Sequence, residues 1–393
     1  MMKKASHIVF LVILAAVFVA VPILTVLGRG QISYYEQRRL AVFPVLTREG
    51  VMDGSYFSAL DSFLSDHFAG RDRLLKTDTA LRLQMGKPVV NDLVVNSDAL
   101  LNFQGYLHWD TDYLKASAEH RAAQYRELQE YVDSLGGSFC FLAMPYQATY
   151  FAEDYPAYMD DRLWNTDALR GHLREAMNAA GVPYLDMYEE YRKQDFPREY
   201  YFETDHHFSL RGGFAAYQSL CGLLGEITAW DFAENVSAED FDFVTVDKPF
   251  LGSSNRKLYG LWKTSDKAEL AYVKDDIPFA RWDNGAAREA SVYTLPADTE
   301  EYATYGVYMG GDIAETIIRT DRPDRPNILI YGDSYTNVLE CLLWTQANEL
   351  RSLDYRYYSG PRLRDYIAAF QPDIVICVRD ETVFYSETEN GIT

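Results

Sequence analysis

The chain has 393 residues with 48% apolar content, enough for one large domain or two ordinary ones. Its formal net charge is −21 and its pI is near 4.7. Such a surface repels phosphate backbones and argues against nucleic acid as a partner. Thirty tyrosines and 21 phenylalanines make the chain rich in aromatics, which serves either core packing or ring stacking on sugars.

The first feature in the chain is an uncharged apolar run, Ile8 to Leu27, preceded by Lys3 and Lys4. Twenty residues at helical rise match the hydrocarbon thickness of a bilayer. The leading lysines favour a cytoplasmic start, with everything after Arg29 outside. The exit, Thr-Val-Leu-Gly-Arg-Gly, lacks a clear small-x-small cleavage site, so an uncleaved single-pass anchor is expected over residues 1–30 rather than a signal peptide. Pro22 is tolerable inside such a helix.

Residues 31–88 read as a juxtamembrane helical segment. Tyr56, Phe57, Leu60, Phe63 and Leu64 recur at helical spacing, and a second helix is expected from Asp72 to Gln84. Asp66-His-Phe-Ala-Gly-Arg-Asp72 separates them, with a break at Gly70 and His67 reading as a structural residue that holds it. Val89 to His108 reads as a hairpin or two short strands.

An α/β domain is expected over residues 89–393. Leu114, Ala118, Tyr125, Leu128 and Val132 share one face of a helix over 113–135, stopped by Gly136-Gly137. Ser138 to Met144 is a strand closed by Pro145. A helix over 167–180 is capped by Asn165 or Thr166 and stopped by Gly181. Pro183 to Met187 is a short strand, and a helix through Phe214 and Leu224 closes at Gly225. Residues 231–324 change character, with frequent turns and short apolar runs, and read as a β-rich insertion. The alternation then resumes as strand 327–331, helix 335–350, strand 352–358, helix 361–370 and strand 373–378. Alternating strands and helices imply a parallel sheet covered on both faces, with ligands bound beyond the carboxyl ends of its strands. Cys140, Cys221, Cys341 and Cys377 lie in apolar segments without metal-ligand spacing and read as buried free thiols.

Two stretches carry chemistry. In Asn327-Ile-Leu-Ile-Tyr-Gly-Asp-Ser-Tyr-Thr-Asn337 a strand runs into a helix with Ser334 at the corner, where the first helical N–H groups can face a developing negative charge. Glu203-Thr-Asp-His-His-Phe208 supplies one carboxylate and two imidazoles. Serine, histidine and aspartate together suit nucleophilic acyl transfer: an attacker, a proton acceptor, and a group that sets the acceptor's tautomer. A metal held by Asp205, His206 and His207 is the competing use of the second stretch, disfavoured because adjacent side chains of an extended segment diverge.

These residues resemble the DHHW family, bacterial membrane-anchored proteins related to the alginate O-acetyltransferases AlgJ and AlgX. The likeness rests on Glu36-x-Arg38 through Phe43-Pro44, Asp66-His-Phe-x-x-Arg71, Met144-Pro145, Thr204-Asp-His-His-Phe208, Phe250-x-Gly-Ser253, Met309-Gly-Gly-Asp312, Gly332-Asp-Ser-Tyr335 and Pro372-Asp-Ile-Val375. Phe208 stands where the family motif has tryptophan; it keeps an aromatic wedge but loses an indole N–H donor.

The resemblance implies a three-layer α/β/α SGNH-hydrolase-like fold with permuted triad order. In it Ser334 is the nucleophile, His207 the base, Asp205 the orienting carboxylate and His206 a structural neighbour. The Ser334 N–H is one expected oxyanion donor, with Gly252 or Gly311 as candidates for another. The implied activity is O-acetylation of a cell-envelope or secreted polysaccharide through an acetyl-serine, without cofactor or metal, with a membrane-bound O-acyltransferase as partner. A carbohydrate acetyl esterase and a non-catalytic glycan-binding subunit are the alternatives.

Overall fold

The computed structural model describes residues 2–27, 32–36, 38–103 and 111–386. The chain divides into two compact units: residues 1–91 with 256–262, and residues 92–255 with 263–393.

The first unit is helical. Helix α1 (Met2–Val26) covers the apolar run and contains Pro22. The side chains of many of its residues, and the expected exit at Gly28–Gly30, lie outside the described residues. Among the described residues no helix is long and apolar enough to cross a membrane, so the anchor expected from the sequence is not shown. Helices α2 (Ser55–His67) and α3 (Arg71–Gln84) stand where the spacing predicts them, separated by a turn at Gly70. His67 is structural, as expected. Its Nε2 lies 2.9 Å from the Ala41 carbonyl and its ring stacks on Phe63 at 4.4 Å.

The second unit is built on a mixed sheet of eight strands among the described residues. In chain order these are β1 (Ser138–Met144), β2 (Tyr184–Asp186), β3 (Ala280–Asp283), β4 (Ala286–Arg288), β5 (Glu315–Arg319), β6 (Asn327–Gly332), β7 (Glu349–Asp354) and β8 (Ile374–Asp380). Their order across the sheet is β4-β3-β5-β7-β6-β8-β1-β2. Strands β7, β6, β8, β1 and β2 are parallel, as expected. The antiparallel β5, β3 and β4 continue the sheet beyond β7. Part of the expected insertion is thus an extension of the main sheet: only residues 320–326 link β5 to β6, too few for a crossover, so β5 lies antiparallel on the edge of β7. Its other strands, Phe241–Thr245 and Glu269–Val273, form a separate antiparallel pair.

Alternation along the parallel strands explains the layers. On β6, Ile328 and Ile330 enter one core, while Leu329 and Tyr331 enter the other. Strand β8 divides the same way, Ile374, Ile376 and Val378 against Val375 and Cys377. Successive side chains of a strand point to opposite faces, so a strand buried on both reads as a continuous apolar run. One face is covered by α4 (Thr111–Ser134) and α5 (Leu163–Ala180), the other by α6 (Leu210–Ile227) and α7 (Asn337–Leu343). The α4 face predicted from Leu114, Ala118, Tyr125, Leu128 and Val132 is buried throughout.

Several boundaries differ from expectation. Helix α5 begins at Leu163, so Asn165 and Thr166 lie within it rather than capping it. Helix α6 is capped by the Ser209 hydroxyl and runs past Gly225 to Ile227. The helix expected over 335–350 is a 3₁₀ turn at Ser334–Thr336, then α7, then another 3₁₀ turn ending at Gln346, because residues from Glu349 are drawn into β7 between β5 and β6. Cys140, Cys221, Cys341 and Cys377 are free and buried, as expected.

Candidate active site

Ser334 sits just beyond the carboxyl end of β6, at the rim where a parallel sheet presents ligands. The corner is tight. A Cβ on Gly332 would lie 2.5 Å from the Val378 carbonyl of β8, closer than any side chain can stand. Asp333 closes the turn: its Oδ1 accepts from the Tyr335 N–H at 2.9 Å and its carbonyl from the Thr336 N–H at 2.9 Å. These two helical N–H groups are therefore occupied within the turn.

The Thr204 loop is fixed by its own ring of hydrogen bonds. Tyr201 bridges to Phe208 across its base. The Asp266 carboxylate accepts from the Glu203 and Thr204 N–H groups and the Thr204 hydroxyl at 3.0, 2.8 and 2.6 Å. The Thr204 carbonyl accepts from the Ser254 N–H at 3.0 Å. Gly252 passes so close that a Cβ there would stand 2.1 Å from that carbonyl oxygen. Phe208 is fully buried and edges onto Tyr335 at 5.5 Å, so the aromatic wedge survives the loss of the indole.

Fixed in this way, the two stretches meet. The Ser334 hydroxyl lies 2.7 Å from His207 Nε2, and His207 Nδ1 lies 2.6 Å from Asp205 Oδ1. All three residues are buried. The second Asp205 oxygen accepts from the Ser253 N–H at 2.6 Å. Burial pushes the Asp205 carboxyl up, but His207, His206 and the Ser253 N–H outweigh it and hold it below the usual carboxylate range. An ionised Asp205 accepts a hydrogen bond from Nδ1–H and so keeps the proton on Nδ1, which leaves Nε2 as the acceptor for the Ser334 hydroxyl. Beside them Asp380, the last residue of β8, is buried; that burial, then the charge of Asp333, pushes its carboxyl up to about 7.

Tyr305 had no role in the sequence reading, His206 only that of a structural neighbour, and Tyr335 appeared only within the serine motif. The Tyr305 ring stacks on the His207 imidazole at 3.7 Å and 5°, and its hydroxyl donates to the Ser334 carbonyl at 3.3 Å. His206 covers the other side of that imidazole at 3.8 Å, with its Nδ1 2.8 Å from the Ser253 hydroxyl. The Tyr335 hydroxyl donates to the His206 carbonyl at 2.7 Å. Ser253, the partner of His206, lies in the Phe250-x-Gly-Ser253 block. Of the expected oxyanion donors, Gly311 donates its N–H to the Tyr308 carbonyl at 3.1 Å and is committed there.

Ligand atoms of Asp205, His206 and His207 do lie within 4.8 Å of one another. Both His207 nitrogens are engaged, however, so a metal would have to break the bond to Ser334 or the one to Asp205.

Comparison with known proteins agrees with this architecture. The model of the family described as DHHW protein matches residues 36–116. No curated protein matches the chain. Among solved structures, Bacillus cereus PatB1 aligns at a TM-score of 0.65 and 17% identity, covering 77% of this chain and 98% of PatB1. Its form with a sulfonyl adduct aligns at 0.63 and 16%, covering 76% and 97%. A DHHW family protein from Eubacterium siraeum aligns at 0.56 and 17%, covering 77% and 95%. The resemblance drawn from the motifs therefore holds: this chain is similar to the DHHW proteins by sequence over residues 36–116 and by fold over most of its length.

Proposed function

We propose that this protein is an extracytoplasmic O-acetyltransferase that modifies a cell-envelope or secreted polysaccharide, held at the membrane by its N-terminal apolar run. The observation that carries the reading is the continuous hydrogen-bonded line Ser334–His207–Asp205 at the carboxyl rim of the parallel sheet. Likeness to PatB1 and to a DHHW protein supports the fold on which this chemistry is proposed.

In the proposed reaction His207 Nε2 takes the proton of Ser334 as its oxygen bonds to the acyl carbon of a thioester or ester. The donor's sulfur or oxygen then leaves with that proton, and an acetyl-serine remains. A sugar hydroxyl next gives its proton to His207 and attacks the acetyl carbon. The bond to Ser334 breaks, and the proton returns to its oxygen. Asp205 keeps Nε2 in the accepting state and stabilises the imidazolium between these steps. Tyr305 and His206 hold the ring in register on both sides.

The test is a single-turnover experiment with a chromogenic acetyl ester and a panel of oligosaccharides. Acetylated sugar with wild type and none with Ser334→Ala is the expected result. Because a sulfonyl adduct is described for PatB1, a sulfonyl fluoride is expected to label Ser334 here. Acetate release without acetylated sugar would make the protein an esterase; equal rates in wild type and Ser334→Ala would remove Ser334 from the chemistry.

A further inference from the structure

Among its described residues the first unit buries little apolar surface. Helices α2 and α3 each have one fully buried residue, Phe63 and Thr79, whereas α6 in the second unit has ten. Folded helices gain most of their stability from burying an apolar face, so this face calls for a partner. The clearest case is the segment Val42-Phe-Pro-Val-Leu46, which has no regular secondary structure. Val42 and Val45 are 84% and 82% exposed, and Leu46, Met52 and Phe57 are exposed as well.

This exposure is imposed by the structure around it. The base of the segment is pinned where the Asp66 carboxylate accepts from the Ala41 N–H at 2.8 Å and from Arg38 Nη1 at 2.8 Å, and where the Ala41 carbonyl meets His67. An apolar tip is thus held out to water on a polar base.

Charge indicates what covers it. Beyond the apolar run, residues 31–91 and 256–262 carry 10 Lys and Arg against 7 Asp and Glu, a balance of +3, whereas residues 92–255 and 263–393 carry −27. Arg39 and Arg48 flank the apolar tip, while Arg38 is paired with Asp66 and Glu36 at its base. A basic surface with an apolar centre fits an anionic lipid bilayer, whose headgroups attract arginine and whose acyl boundary accepts valine and leucine. The end of α1 lies in the same unit, where the Thr25 hydroxyl accepts from the Ala69 N–H at 3.2 Å between α2 and α3. We infer that the 42–46 segment and the adjoining face of α2 form an interfacial docking surface that lies on an anionic bilayer, a role separate from the acyl chemistry at Ser334.

The experiment places an environment-sensitive fluorophore on Val45→Cys of the full chain in nanodiscs, with Glu289→Cys as the control; Glu289 is exposed in the second unit. The four native thiols are buried and leave the introduced cysteine as the reactive one. The expected result is a blue-shifted probe at 45, quenched by spin-labelled lipid roughly threefold more than at 289, and more strongly with anionic than with zwitterionic lipid. A probe at 45 that is as wet and unquenched as at 289, in chain that has entered the nanodisc, overturns the inference. So does a blue shift without lipid quenching accompanied by cross-linking at 45 between two copies, since a second chain would then be the cover. Chain that fails to enter nanodiscs would dismiss the anchor; flotation with anionic vesicles then decides, quenched co-flotation supporting the surface and absence of flotation overturning it.

Discussion

Asp205→Asn separates the geometry of this site from its mere composition. The carboxylate accepts three hydrogen bonds: from His207 Nδ1–H at 2.6 Å, from the His207 N–H at 3.1 Å, and from the Ser253 N–H at 2.6 Å. An amide of the same shape has only one acceptor oxygen. If its NH₂ faces Ser253, two donors oppose each other at a buried contact and the loop is pushed apart. If it faces His207, the ring must present a lone pair at Nδ1, its proton moves to Nε2, and Nε2 can no longer accept from Ser334. The second orientation removes the base, and the first displaces the loop that carries it. The loss expected in kcat is about 10⁴-fold, as for the same substitution in a serine protease triad, or roughly 5.5 kcal/mol of barrier. The same carboxyl contributes to stability. Its folded pKa lies below the ordinary value of 3.8, so its contribution is present above about pH 4 and is lost as pH falls through the folded value; the amide lacks this dependence. Pre-steady-state acetyl-ester turnover gives the rate, and circular dichroism confirms folding. A folded Asp205→Asn that keeps more than about a tenth of the wild-type rate, where Ser334→Ala keeps none, would refute the assigned orientation of His207.

Other substitutions probe the supports. Gly332→Ala should destabilise by more than about 2 kcal/mol in denaturant titration and lower turnover, because the new methyl meets the Val378 carbonyl at 2.5 Å and must part β6 from β8 at the serine corner. Tyr305→Leu should cost roughly tenfold in kcat by freeing the His207 ring, part of what a positioned base supplies. Tyr305→Phe keeps the stack, loses a 3.3 Å hydrogen bond, and should stay within roughly threefold of wild type. Asp380 carries the opposite linkage to Asp205. Its carboxyl is raised from 3.8 to about 7, so the folded protein holds a proton that the unfolded chain releases, and stability falls as pH rises between those values. Asp380→Asn should flatten that fall by at least about 1 kcal/mol, read as melting temperature against pH.

Much of the fold is legible from local pattern. The continuous apolar runs at Ser138–Met144, Ile328–Ile330 and Ile374–Val378 mark strands buried on both faces, and the spacing of Leu114 to Val132 marks the helix that covers them. The limits of α5, α6 and α7 are less legible, because helix ends depend on which neighbour claims the next residue. The antiparallel strands β3, β4 and β5 read as a separate insertion because the pairing of β5 with β7 and of β3 with β5 is non-local and leaves no periodic signal at either site.

The site divides the same way. Residue types and motif resemblance nominate Ser334, His207 and Asp205, but they are separated by up to 129 positions and nothing local requires them to touch. Folding supplies that contact, together with the Ser253 N–H behind Asp205 and the Tyr305 ring on His207. By itself the sequence determined the elements and the reactive groups, since hydrophobic period and side-chain chemistry are carried by each residue and its neighbours. The alignment of those groups and the joining of β5 to β7 belong to the tertiary structure, because they are set by atoms tens to more than a hundred residues apart in the chain and a few ångströms apart in space.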